Sequence, residues 1–308
     1  MKKILAAACL FAAFLTGCKK EIADTPPAAG APGEAAASAA ASPGCGTKYL
    51  NLVVDPSTGQ SLLYVVYNTP GNPPVTVVNI NGSAGNNVIG SSSAATTVTF
   101  MTGLAFDPNT SICYGITGNT GSHPQSLITF NVGDPNVVTI TPLVSLSRIN
   151  LSDIERNPWN GRYYAINRAS GINNRIADVN VGTAAVTNLP SGTGLGSLRG
   201  LAMDPGGKLY VSNMVAGGNG DIYVVDPLTG GLILGPCAYP GAIAPGVLGT
   251  GAEMGLHFDD VCTNLLVTGN YTGVGTLLTD GLPACLGGPS YTAIPGGVKP
   301  TVDFARLN

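Results

Sequence analysis

The segment GLAMDPGGKLYVSNMVAGGNGDIYVVD, Gly200–Asp226, decides the fold. It holds three short apolar runs. DPGG separates the first two, and a Gly/Asn-rich loop separates the second from the third. Asp-Pro pre-sets φ for a type I turn, and Gly or Asn supplies positive φ. Leu209-Tyr210-Val211 and Ile222-Tyr223-Val224-Val225 are β-branched and aromatic, as strands prefer. The segment therefore reads as three strands joined by hairpins.

The same order returns along the chain. It occurs in NLVVDPSTGQSLLYVVYNTPGNPPVTVVNING from Asn51 and in GLAFDPNTSICYGITGNTGSHPQSLITFNVGD from Gly103. It recurs in DIERNPWNGRYYAINRASGINNRIADVNVG from Asp153, and in a degenerate copy, GLHFDDVCTNLLVTGNYTGVGTLLTDG, from Gly255. Asp55, Asp107, Asn157, Asp204 and Asp259 mark the first turn of each copy. They lie about 50 residues apart, enough for a four-stranded sheet with three hairpins. Fourth strands are expected at Asn87–Gly90, Val137–Leu143, Ala184–Leu189, Gly231–Leu234 and Ser290–Ile294. The expected fold is all-β: a β-propeller of four-stranded antiparallel blades, with five repeats visible and room for a sixth. The C-terminal run Val302–Leu307 is expected to pair with the first unit, closing the ring and hiding sheet edges.

The unit GLAxDPxGxLYVxN–loop–IxVxD resembles that of NHL, YncE-like and gluconolactonase-like propellers, over residues 47 to 308. That resemblance implies a central channel with ligands bound on one face. Gluconolactonase-like propellers hold a divalent ion in the channel with Glu, Asn and Asp. Their N-terminal Glu-Gly-Pro ligand motif is not found here; Asn51 and Asn68 stand in the first unit instead.

Charged residues make up only 10% of the chain, against about 25% in typical soluble domains. Net charge is −3, and no Lys/Arg cluster occurs beyond the first twenty residues, which argues against a nucleic-acid partner.

The first residues read MKKILAAACLFAAFLTGCKK. Lys2 and Lys3 precede an apolar stretch, Ile4 to Leu15, of secretory-signal length. Leu15-Thr16-Gly17-Cys18 resembles the lipobox of bacterial lipoproteins, which implies a signal peptide over 1–17 and lipidation, palmitate included, of Cys18. Two or more acyl chains anchor a protein stably. Residues 18–46 are rich in Ala, Pro and Gly and read as a flexible tether. The propeller is expected over 47–308. Lys19 is not the Asp that resembles an inner-membrane retention signal, so the outer membrane of a Gram-negative envelope is the expected address.

Of seven cysteines, Cys9 falls in the signal and Cys18 takes the lipid. An exported compartment permits disulfides. Cys237, Cys262 and Cys285 are candidates for one bridge, and Cys113, at a strand start, is expected to be free. There is no Cys-x-x-Cys pair, so the sequence gives no sign of a zinc or thiol-redox site.

In a propeller, the loop leading into each blade and the second loop of each blade share one face. The leading loops are expected to carry Met101-Thr102, Leu151-Ser152, Leu198-Arg199 and Glu253-Met254. The second loops carry Asn68, Asn119, Asn167, Asn213 and Asn270. Arg199, Glu253 and Asp153 are thus ligand-binding candidates at the channel mouth; Arg199 and Glu253 serve equally as an ion pair between blades. The asparagines read as turn formers. The third position of the innermost strands is Val53, Ala105, Glu155, Ala202 and His257, so Glu155 and His257 break a small apolar pattern. They are further ligand candidates and leave room for a divalent metal, although the sequence demands no cofactor. Trp159, the only tryptophan, lies in the first-hairpin turn NPWNG and is expected to pack on a neighbouring blade rather than to serve as an exposed sugar platform. No Gly-x-Ser-x-Gly elbow or coherent catalytic set is present. The leading reading is a lipid-anchored envelope propeller that binds a protein, a carbohydrate or another small ligand at its channel face. The rival is a metal-dependent hydrolase or lactonase.

Overall fold

The computed structural model describes residues 47–55, 57–68, 76–78, 87–90, 96–171, 174–204, 206–214, 220–238, 256–259, 264–269, 276–281, 290–293 and 301–307. Within them the chain runs β1 (Thr47–Val54), β2 (Ser61–Asn68), β3 (Thr76–Val78) and β4 (Asn87–Val88), then β5 (Met101–Asp107), β6 (Ile112–Thr117), β7 (Ser126–Asn131) and β8 (Asp134–Pro142). Next come β9 (Val144–Ser145), β10 (Leu151–Arg156), β11 (Tyr163–Asn167), β12 (Arg175–Asn180) and β13 (Ala185–Asn188). β14 (Leu198–Met203), β15 (Leu209–Met214), β16 (Gly220–Val225) and β17 (Leu232–Ala238) follow, then β18 (Leu256–Asp259), β19 (Asn264–Gly269), β20 (Thr276–Gly281), β21 (Ser290–Ala293) and β22 (Thr301–Leu307).

These strands form five sheets. Blades two, four and five are four-stranded meanders: β5-β6-β7-β8, β14-β15-β16-β17 and β18-β19-β20-β21. Blade three is β10-β11-β12-β13 with β9 added in parallel at its outer edge. Blade one is closed by the C-terminal strand: β22 pairs antiparallel with β1, Lys48 opposite Leu307. The inner strands contact one another in a circuit, β22 to β5, β5 to β10, β10 to β14, β14 to β18, and β18 back to β22. The protein is a β-propeller.

Blade one departs from expectation twice. β1 is its second strand, because β22 takes the inner place; Val53 therefore leaves the inner-strand series and Ala305 of β22 enters it. The expected fourth strand at Asn87–Gly90 shortens to β4, which pairs with Leu62 and Leu63 of β2, while β3 pairs with Val65–Tyr67 further along the same strand. Two short strands thus share one edge.

The turns follow their sequence. Asp55, Asp107, Asn157 and Asp226 each accept, through Oδ1, the N–H two residues on, at 2.9, 3.0, 2.9 and 2.9 Å. The residue four on donates its N–H back to the turn's first carbonyl: Gly59, Ser111, Gly161 and Gly230. All four have positive φ, and only at Ser111 is the residue not glycine. A non-glycine residue is uncommon there, and its left-handed backbone carries a modest strain.

The core lies between blades rather than at the centre. Leu50, Leu63 and Val302 of blade one pack with Leu104, Ile128 and Phe130 of blade two. Ile116 and Leu127 of blade two meet Ile154, Tyr163 and Ala165 of blade three. Tyr164 and Ile166 of blade three meet Leu201, Val211 and Val225 of blade four. Successive side chains of a strand point to opposite faces, so Tyr163 and Tyr164 serve different interfaces and all of β11 is buried. Blades two and three are glued on both faces, which is why their middle strands read as continuous apolar runs.

Deleting residues 301–308 removes the inner strand of blade one and exposes β1 as an edge. The expected loss is about 4 kcal/mol or more, in the range reserved for a broken core. Calorimetry of the truncated chain should show a strongly lowered or abolished cooperative transition; an unchanged midpoint would rule out closure by this strand.

Candidate functional site

Three of the inner strands begin with an irregularity. Pairing to the second strand slips between Met101 and Gly103, between Ser152 and Ile154, and between Leu198 and Leu201. The segments expected as leading loops are therefore the first residues of β5, β10 and β14, and Met101, Leu151 and Leu198 are buried. The bulge turns the next residue toward the axis.

In sequence that axial residue is Gly103, Asp153, Gly200 and Gly255 in blades two to five, and Asp303 in blade one. A Cβ added at Gly103 would stand 2.4 Å from the Asp153 Cα, so the inner backbones approach too closely there for any side chain. Two positions nevertheless carry carboxyls. Asp153 and Asp303 are 2% and 1% exposed. Asp153 sits at φ 61°, the left-handed conformation that Asp tolerates better than most residues.

Each carboxyl caps the next blade. Leu201 N–H donates to Asp153 Oδ2 at 2.5 Å, and Leu104 N–H donates to Asp303 Oδ2 at 2.7 Å. The two carboxyls also meet each other. Blades one and three are not neighbours, so this contact crosses the middle of the ring over Gly103. Asp153 Oδ1 receives no N–H or hydroxyl donor. Burial, then the charge and hydrogen bond of Asp303, and then the charge of Glu155 push Asp153 well above its ordinary value of 3.8. The shift favours the protonated form of the Asp153 carboxyl.

Glu155 follows two residues later and is 8% exposed. Ala105, Ala202 and Ala305 fill the same place on their strands and are buried. His257 shares that place on β18 by register opposite Leu266; its side chain lies outside the described residues. Of the sequence candidates, the structure brings Asp153 and Glu155 together. Arg199 lies on β14, half-buried, two residues before the Leu201 amide that Asp153 holds. Glu253 and Cys18 lie outside the described residues, as do Cys262, Cys285 and the Cys237 side chain, so the disulfide candidates are not described. Asp303 was missed because Val302–Leu307 reads as an apolar run. The signal was there: Asp303-Phe304-Ala305-Arg306 matches Asp153-Ile154-Glu155-Arg156. Among the described residues no group of three or more His, Cys, Asp or Glu is arranged to hold a metal ion.

The second-loop asparagines act on the backbone. Asn167 Oδ1 accepts the Asn150 N–H at 3.0 Å, and Asn213 Oδ1 accepts the Ser197 N–H at 2.9 Å. Each ties its second strand to the residue entering the inner strand of the same blade. Cys113 on β6 is free and buried, and burial pushes its thiol far up. Trp159 does not pack: it is 80% exposed. Its turn is closed by backbone and Asn157 hydrogen bonds, which leaves the indole no partner blade to fill.

On the face that bears the second loops, a cavity of about 410 Å³ opens between blades two and three. Asn119, Gln125, Ser145, Ser147, Arg148 and Ile149 help to line it. Gln125 spans its wall, donating from Nε2 to Asn119 Oδ1 at 2.7 Å and to Ile149 O at 3.1 Å. Its volume falls in the usual range for small-ligand sites, about 300–1,000 Å³.

No protein-family model matches the chain, and no curated protein matches it in sequence. Solved structures do match in fold. TolB from Acinetobacter baumannii is 11% identical with a TM-score of 0.51, over 84% of this chain and 66% of that one. An auxiliary nutrient binding protein from Bacteroides ovatus is 13% identical with a TM-score of 0.44, over 80% of this chain and 71% of that one. A chain of a nidogen–laminin complex is 11% identical with a TM-score of 0.45, over 85% and 99%. At these identities the likeness to TolB is one of fold.

The axial dyad makes stability depend on pH. Because Asp153 is raised in the folded chain, the native dyad keeps a proton that the unfolded chain releases above about pH 4. Stability therefore falls as pH rises from there, until the native group itself ionises. Asp153→Asn keeps the Leu201 bond and donates an amide N–H to Asp303 without a titrating proton. The melting temperature of this variant should fall less than that of the parent between pH 4.5 and 7.5. Asp153→Ala leaves the Leu201 amide unpaired and removes the contact with Asp303, and should cost about 1–3 kcal/mol. Parallel pH profiles of parent and Asp153→Asn would refute the protonated Asp153 carboxyl.

Proposed function

We propose that this chain is a lipid-anchored binding module of the bacterial cell envelope, taking a small ligand or a partner protein on its second-loop face. The single observation that carries the reading is the cleft between blades two and three. It offers amide, hydroxyl and guanidinium groups over the apolar Ile149, without a carboxylate among its lining residues. Such a wall binds and orients; it contains no nucleophile with a paired base. The centre of the ring is occupied by the Asp153–Asp303 contact, which directs ligands to the faces. The sequence MKKILAAACLFAAFLTGCKK supports anchoring through Cys18, and Lys19 supports an outer-membrane address.

The rival reading, a metal-dependent hydrolase or lactonase, is favoured by Glu155 standing buried among alanines, with His257 at the matching place on β18. Elemental analysis separates the two. A stoichiometric divalent ion lost on His257→Ala would favour the enzyme.

Two outcomes are expected. Cys18→Ser should move the protein from the membrane to the soluble fraction and abolish incorporation of labelled palmitate; continued sedimentation with membranes would sink the anchor. In thermal-shift screening of the full chain against sugars, amino acids and nucleosides, a stabilising ligand should lose at least tenfold in affinity with Gln125→Ala or Arg148→Ala. A ligand insensitive to both variants does not use the cleft.

A further inference from the structure

We propose that the Trp159 turn and the cavity beside it on blade three form a binding site for a neutral oligosaccharide. The site lies at the opposite end of the strands from the second-loop cleft and is independent of it. The first-hairpin turns of blades two and four have no aromatic residue where blade three puts Trp159: Asn109 follows Asp107-Pro108, and Gly206 follows Asp204-Pro205. The turn does not need an indole, and burial does not use it, since Trp159 is 80% exposed. The ring is therefore presented to solvent rather than packed, two residues before Gly161, where the lining of a cavity begins.

The platform is pre-organised. Asn157 Oδ1 accepts the N–H of Trp159 at 2.9 Å and of Asn160 at 3.3 Å, and Asn160 Oδ1 accepts the Arg162 N–H at 2.9 Å. The turn leads directly into Gly161 and Arg162, which line a cavity of about 420 Å³. Arg162, Asp178, Asn180 and Thr187 stand on one face of the blade by strand alternation, with Asp178 opposite both Tyr164 and Thr187. Arg162 donates to Asp178, and its guanidinium lies 5.5 Å from the Tyr164 ring centre.

This lining fixes the ligand class. Arg162 and Asp178 neutralise each other, so the site has no net charge to recognise an acid or a base. Between them they offer planar donors and acceptors side by side, the arrangement that matches vicinal hydroxyls. The indole face carries negative π density, which suits the C–H face of a sugar ring. A neutral pyranose chain presents both surfaces, and the cavity volume accommodates one or two rings.

The chain contains one tryptophan, so its fluorescence reports on this site alone. Cellobiose, xylotriose, maltotriose and chitotriose are titrated into the full-length protein. At least one should produce a saturable blue shift or quench. Calorimetry with that sugar should show at least tenfold weaker binding for Trp159→Ala and for Asp178→Ala, partial recovery for Trp159→Phe, and no change for Asn109→Ala at the matching turn of blade two. The parent melting temperature is expected for Trp159→Ala, because the indole is not packed. No response to any of the four sugars would overturn the proposal, as would sugar binding unaffected by Trp159→Ala. An emission shift that depends on protein concentration, without a sugar response, would assign the turn to self-association instead. Any of these results leaves the cleft variants Gln125→Ala and Arg148→Ala as a separate test of the second-loop face.

Discussion

Five inner strands must meet around an axis with no space for ordinary side chains. That constraint organises the rest. At Gly103 even a Cβ would collide with the backbone of the third blade, so the repeat places glycine at the axial position in blades two, four and five. Where aspartate replaces it, the side chain must reach across the centre and find a partner there. Asp153 and Asp303 do so by bonding the next blade's backbone and each other. Their two bonds to Leu201 and Leu104 tie blade three to four and blade one to two, while their mutual contact ties one to three.

Charge is rare in this chain, and the charges kept inside are placed with care. A buried carboxylate without a partner is costly. The raised Asp153 favours the neutral carboxyl, which lowers that cost. The pair also makes the centre specific: a neutral amide fits one side of it, whereas an alanine leaves the Leu201 amide unsatisfied. Further out, the apolar faces between blades supply most of the burial, and Asn167 and Asn213 hold the start of the inner strands of blades three and four. The two faces are therefore free to differ. One carries a polar cleft between blades two and three; the other carries an exposed indole beside a charge-balanced cavity.

The propeller was legible in the sequence because its turns repeat. Asp-Pro and positive-φ residues recur at matching places, and each marks a hairpin. The first blade was harder to read, since its inner strand comes from the far end of the chain and β1 had to move outward by one place. The axial pair was half legible. Asp153 stood out, but Asp303 was hidden in an apolar run, although its flanking residues repeat those of Asp153. Trp159 was visible and misjudged. Sequence shows that a residue is large and apolar, but the rigid turn that holds it away from any neighbour is a property of the folded backbone.

The place of β22 also sets an order of events. The Asp303 carboxyl bonds an amide 199 residues earlier in the chain, and the first blade lacks its inner strand until β22 docks. Contacts of such long range form late. Until then β1 has no inner neighbour and the circuit of blades is open. The ring is thus closed by its most distant pairing in sequence, and the blades between can form before it does.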